Sequence, residues 1–136
     1  MIIEHLKFQD LLDIEPIITM KNIIRLEELA MLGLSVYALA WYQIDWWWYL
    51  LLGIGPDISM IGYLAGNKTG TFFYNLFHHK GVALLILLTG FILSTEWVLI
   101  IGIVLFGHSS MDRFFGYGLK TEEGFKFTHL GMIGKK

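Results

Sequence analysis

Apolar residues in this chain gather in four long runs, at about residues 24–43, 46–66, 71–93 and 97–117. Each is close to the ~20 residues an α-helix needs to cross a bilayer core. The pattern predicts an all-α polytopic membrane protein, an antiparallel four-helix transmembrane bundle. The connections are Gln43-Ile44-Asp45, a short stretch around Asn67-Lys68, and Ser94-Thr95-Glu96. Connections this short force consecutive helices to lie side by side and antiparallel.

Two flanks differ from the runs. Residues 1–22 alternate apolar and charged positions, and Ile2, Ile3, Leu6, Leu11, Leu12 and Ile14 would line one helical face. An interfacial helix or a cytoplasmic segment fits that pattern, with Pro16 expected to end the helix. This stretch lacks a basic start followed by an apolar core, so it does not read as a signal peptide. The expected organisation is a segment 1–22, a transmembrane domain 23–117 and a polar cytoplasmic tail 118–136. Gly62-xxx-Gly66 in the second run offers a small-xxx-small surface for packing within the chain.

Composition sharpens the class. The 136 residues are 55% hydrophobic and 16% charged, too little charge to clothe an ordinary soluble domain. A net charge of -2 carries no basic footprint for nucleic acid. With no cysteine, disulfides, thiolate metal sites and a Cys nucleophile are excluded. Lys7, Lys21, Arg25, Lys68, Arg113 and the four tail lysines all fall on one face of the expected bundle, while the other two loops hold Asp45 and Glu96. The excess of basic residues marks the cytoplasmic side. The expectation is therefore a multi-pass protein of the cell membrane with both termini cytoplasmic. Trp41, Tyr42, Trp46, Trp47, Trp48, Tyr49 and Trp97 would form an aromatic belt at the outer interface.

Ionisable residues inside a membrane are costly and usually functional. Here they include Glu27, Glu28, Asp57, His78, His79, Lys80, His108, Asp112 and Arg113. A rise of about 1.5 Å per residue puts Asp57 and His108 roughly 13 Å and His78 roughly 10 Å from the cytoplasmic ends of their runs. Three helices thus bring Asp, His and His to one level. Asn75, His78 and His79 share a helix face, as do His108 and Asp112 four residues apart. Imidazole and carboxylate at these spacings suit a divalent metal such as Zn, Mn or Fe held by Asp57, His78, His108 and Asp112. The competing reading is a structural network in which His108 and Asp112 satisfy each other. Lys80 and His79 would then snorkel towards water. A second cluster lies in the tail: Tyr117, Lys120, Phe125, Lys126 and His129. His129 either folds back over the cytoplasmic mouth or stays solvated.

Several motifs together resemble one family: Arg25-Leu26-Glu27, Pro56-Asp57 followed by Gly62-Tyr63-Leu64-Ala65-Gly66, Tyr74-Asn75-xx-His78, His108-xxx-Asp112-Arg113-xx-Gly116-Tyr117-Gly118-Leu119-Lys120, and Phe125-Lys126-x-Thr128-His129-Leu130-Gly131. The chain resembles, over about residues 24–132, the small integral-membrane family known as domain of unknown function 4260. That resemblance implies the architecture and singles out Glu27, Asp57, Asn75, His78, His108, Asp112, Arg113, Tyr117 and His129, with no activity attached. A looser likeness is to membrane-bound metal-dependent hydrolases, which also combine Pro-Asp, an internal His and a terminal Thr-His.

Three functions compete. The first is a metal-dependent hydrolase of a lipid or amphiphile. Glu27 or His129 would be its acid or base, Asn75 would join the catalytic set, and Arg113, Tyr117 and Lys120 would bind the head group or cofactor. The second is a non-haem iron oxidoreductase, with haem on His78 and His108 as a variant. The third is a non-enzymatic ion-binding, transport or assembly protein, in which membrane lipids are the evident partners.

Overall fold

A computed structural model describes residues 2–135, with side-chain environments from residue 19 onward. The chain is predominantly helical. Helix α1 is Ile2–Trp41, α2 is Trp47–Ile54, and a 3-10 helix follows directly over Gly55–Ala65. Helix α3 is Asn67–His78, α4 is Lys80–Ile92 and α5 is Glu96–Phe115. Strands β1 (Phe127–Thr128) and β2 (Gly131–Met132) form a small antiparallel hairpin in the tail, with Phe127 opposite Met132.

Helix α1 runs through Pro16, contrary to the expected stop. A proline removes one hydrogen bond and crowds one carbonyl. In a 40-residue helix the turns on both sides propagate cooperatively and outweigh that loss. The apolar face expected over 2–14 lies outside the described side chains.

Two helical stretches among the described residues are long and apolar enough to cross a membrane, Trp47–Ala65 and Glu96–Phe115. The pair α3 and α4 adds a third if its 50° bend is taken as one broken span. The first expected run sits in α1 but does not reach that apolarity, because Arg25, Glu27 and Glu28 crowd its start. The surface is nonetheless rich in apolar side chains. Leu64 is 89% exposed, and Ile54, Phe91 and Ile92 are also well exposed, far more apolar surface than water tolerates.

Helix α5 is the centre of the molecule and packs on α4, α1 and α2. Leu39, Leu52, Leu99, Ile100, Ile103 and Val104 form its apolar core. In a bilayer, apolar residues gain little by leaving lipid, so close fit supplies the attraction. The glycines of α4 and α5 provide it. A Cβ on Gly90 would lie 2.3 Å from the Leu99 nitrogen, and one on Gly102 would lie 2.5 Å from the Leu87 nitrogen. On α1, Glu28, Met31, Leu32, Ser35 and Leu39 form the inward seam at helical spacing. Glu28 pairs with Lys80, whose ammonium also lies 5.6 Å from the centre of the Phe106 ring.

The 3-10 helix is unusually long, since such runs seldom exceed four residues. Three residues per turn give it three straight faces. Pro56 and Ser59 are buried with Gly62 next in line, Ile58, Ile61 and Leu64 are exposed, and Asp57, Met60 and Tyr63 are half-buried. Gly62 approaches α3, where an added Cβ would meet Phe73 and the Gly70 Cα at 3.2–3.3 Å. Gly66 does not share that surface. Its φ of 109° makes the turn into α3, and open space surrounds it. The Gly62-xxx-Gly66 pair is thus one packing residue and one turn residue.

Candidate metal centre

The site is built where two helical runs are interrupted, at Pro56 and at His79, against the continuous helix α5. At Pro56 the backbone has no N–H, so the carbonyl of Leu52, four residues earlier, loses its helical partner. The Nδ1 of His108, on α5, takes that place at 2.8 Å. The Nδ1 of His78 donates to the carbonyl of Tyr74 on its own helix, also at 2.8 Å. A carbonyl only accepts, so both rings carry their hydrogen on Nδ1. Both Nε2 lone pairs are thereby turned inward.

They point at each other. The two Nε2 atoms are 3.1 Å apart. Asp57 Oδ1 lies 3.3 Å from the Nε2 of His78 and 3.4 Å from that of His108. Asp112 lies 3.5 Å from the first through Oδ2 and 3.8 Å from the second through Oδ1. One ligand atom from each of the four residues falls within 4.8 Å of every other. Both imidazoles are fully buried, Asp112 is nearly so, and the Asp57 side chain is 37% exposed. With both rings neutral, four acceptors converge with no donor among them. Ligands held 2.0–2.1 Å from a tetrahedral ion stand about 3.3–3.4 Å apart. The imidazole–imidazole and Asp57 separations lie close to that spacing, Asp112 stands slightly further off, and the donor set suits a divalent cation.

The surroundings hold the ligands. Tyr74 donates its hydroxyl to Asp112 Oδ2 at 2.8 Å and stacks on the His78 ring at 3.8 Å between centroids. Helix α3 ends at His78, and His79 turns the chain with φ -90° and ψ 114°. Arg113 spans this break, giving Nη2 to the His78 carbonyl at 3.1 Å and Nη1 to the Tyr117 carbonyl at 2.9 Å. Helix α5 closes on Gly116 in the left-handed region, and the Tyr117 amide returns to the Asp112 carbonyl at 2.8 Å. This is a Schellman-type stop that fixes the last turn carrying Asp112.

The tail covers α3. Asn75 grips the Lys120 backbone in both directions, accepting from its N–H at 2.7 Å and donating to its carbonyl at 2.9 Å. Thr71 donates to the Thr121 carbonyl, and the Tyr63 ring meets Phe125 edge-on. Lys120 is buried, its ammonium 4.1 Å from the Phe125 ring centre and 4.9 Å from that of Tyr74. Burial pushes its pKa below the ordinary lysine value, and the charges of Asp112 and Asp57 partly offset this.

The remaining residues expected at the site lie elsewhere. Glu27 is exposed on α1, because the adjacent Glu28, about 100° round the helix, is the one turned towards Lys80. His129 is exposed, and its Nδ1 accepts from the Leu119 N–H at 2.8 Å, so its ring braces the tail. Tyr117 is 44% exposed and contributes its backbone. Two partners were not anticipated from the residues: the Tyr74 hydroxyl and the Leu52 carbonyl. Tyr74 stands four residues before His78 on one face, and Leu52 four residues before Pro56, so the spacing contained both.

A predominantly helical chain with stretches long and apolar enough to cross a membrane and a buried Asp-His-His-Asp cluster is the class these features define. The chain belongs to the family described as a domain of unknown function, DUF4260, whose model matches residues 21–133. No curated protein and no solved structure matches it.

Proposed function

We propose that this is a four-span membrane protein with both termini cytoplasmic, which hydrolyses a lipid or another amphiphile and in which Asp57, His78, His108 and Asp112 would hold a divalent metal. The observation that carries the reading is the pair of Nε2 lone pairs facing each other at 3.1 Å with both Nδ1 atoms committed to carbonyls. With both rings neutral, such an arrangement in a buried site is repulsive; a proton shared between the two Nε2 atoms relieves it for one pair, and a bound divalent cation relieves it for all four groups. A divalent ion of this kind supplies a Lewis acid and lowers the pKa of water to near neutrality.

The chain's own residues fit the remaining tasks. Asp57 is the exposed member, so substrate approaches on its side. Beside it Ile58, Ile61 and Leu64 form an exposed apolar stripe suited to an acyl chain. Tyr74 fixes Asp112 and so the geometry of the cluster. Lys120, placed by Asn75, brings positive charge towards the two carboxylates and favours an anionic substrate. Glu27 and His129 need no part in the step.

Elemental analysis of detergent-purified protein tests the reading. One Zn, Mn or Fe per chain is expected, and His108→Ala should abolish it while the helical content stays. Protein that takes up none of these metals after loading would overturn it. Two imidazoles with carboxylates are also the donor set of non-haem iron oxygenases. Bound iron with an optical band that responds to oxygen would select that alternative. Haem is disfavoured, because imidazole nitrogens 3.1 Å apart leave no gap for a porphyrin. Metal-linked flux in liposomes would instead select a transport role.

A further inference from the structure

A second polar feature lies away from the four ligands. Between the start of the apolar part of α1, the end of α5 and the tail hairpin is a groove of about 510 Å³. Lys21, Arg25, Arg113 and Lys135 line it, and among the described residues no carboxylate does. Lys21 and Arg25 stand one helical turn apart with Ile24 between them, on the same face. Phe115 and Met132 extend the apolar side of the groove. Just along α1, Ile24 and Leu26 are well exposed, so the cations sit where charged surface gives way to apolar surface.

Four cations around one cavity repel one another and attract an anion, with Asp112 and Glu28 acting on Arg113 alone among them. An anion alone would explain the charges but not the apolar edge that continues from them. We propose that this groove binds the phosphate of an anionic phospholipid, with its acyl chains lying against Ile24 and Phe115. This rests on the membrane orientation proposed above but not on the metal. Basic pockets between helices at the cytoplasmic surface are suited to such head groups. Arg113 contacts both regions, since it also holds the carbonyl of His78.

The test reconstitutes the full chain in nanodiscs of phosphatidylcholine containing a minor share of phosphatidylglycerol. Lipid retained after release into detergent is counted by native mass spectrometry. Wild type is expected to retain phosphatidylglycerol over phosphatidylcholine by at least about tenfold, and high salt should reduce that preference. The triple variant Lys21→Gln, Arg25→Gln, Lys135→Gln should lose it while keeping the metal content of wild type. Lys21→Gln alone should give an intermediate preference, and it decides the matter if the triple variant does not fold. Equal retention of the two lipids by wild type would overturn the proposal. So would retention unaffected by the substitutions, or displacement of the lipid by millimolar inorganic phosphate, which would point to a free anion. Metal content measured on the same samples separates failure here from failure of the metal-centre reading.

Discussion

Helices α4 and α5 make their tightest approaches against backbone, whereas the tightest approach between the 3-10 helix and α3 is against a side chain. At Gly90 and Gly102 an added Cβ would strike the nitrogen and Cα of the opposing helix. At Gly70 it would strike the ring of Tyr63, 2.3 Å away, which a rotation about χ1 can move. Backbone cannot give, and a side chain can. The first pair is a fixed support for His108 and Asp112. The second carries Asp57 and His78 on elements broken at Pro56, Gly66 and His79, with the tail laid across them. Rigidity and chemistry are thus divided between two halves that share one cluster of ligands.

Substitutions should separate the halves. Gly102→Ala is expected to cost the most, about 3 kcal/mol, seen as a drop in thermal stability in detergent. The folded fraction should keep its metal, and a variant that loses metal before it loses stability would break the division. Asn75→Ala removes both bonds to the Lys120 backbone and leaves its buried N–H unpaired, at a cost of about 2 kcal/mol. The tail should become cleavable by limited proteolysis while the helices stay intact. Tyr74→Phe deletes only the hydroxyl on Asp112. Metal affinity, measured by competition with a chelator, should fall about tenfold with little change in the stability of metal-free protein. Gly70→Ala should cost least, about 1 kcal/mol, because Tyr63 swings aside and forfeits its contacts with Thr71 and Phe125. A loss as large as that of Gly102→Ala would show that the ring is as immobile as a backbone.

Much of the candidate ligand set was visible in the residues. Asp57, His78, His108 and Asp112 are ionisable groups in apolar runs, and helical rise placed three of them at one depth. The broken elements were harder to read. An apolar segment with few polar markers has no period to tell 3-10 from α, so 55–65 reads as an ordinary span. His79 looks like a second buried imidazole beside His78. In the fold it is the joint between α3 and α4, exposed, its Nδ1 accepting from the Gly81 N–H. Asn75 was read as part of the chemistry because it shares a face with His78. Its partner is a backbone strand 45 positions away, and no local pattern announces that contact. Glu27 and Glu28 differ only in helical phase, which a neighbour on α4 decides.

Pro56 acts through what it lacks. Its missing amide hydrogen leaves an acceptor vacant on one helix, and an imidazole from a distant helix occupies it. Replacing the proline by alanine would restore a competitor for the Leu52 oxygen, and His108 would then be free to adopt its other tautomer and present a hydrogen where a lone pair is wanted. The two positions should therefore change in concert among relatives: a chain that abandons the imino acid has little use for this histidine.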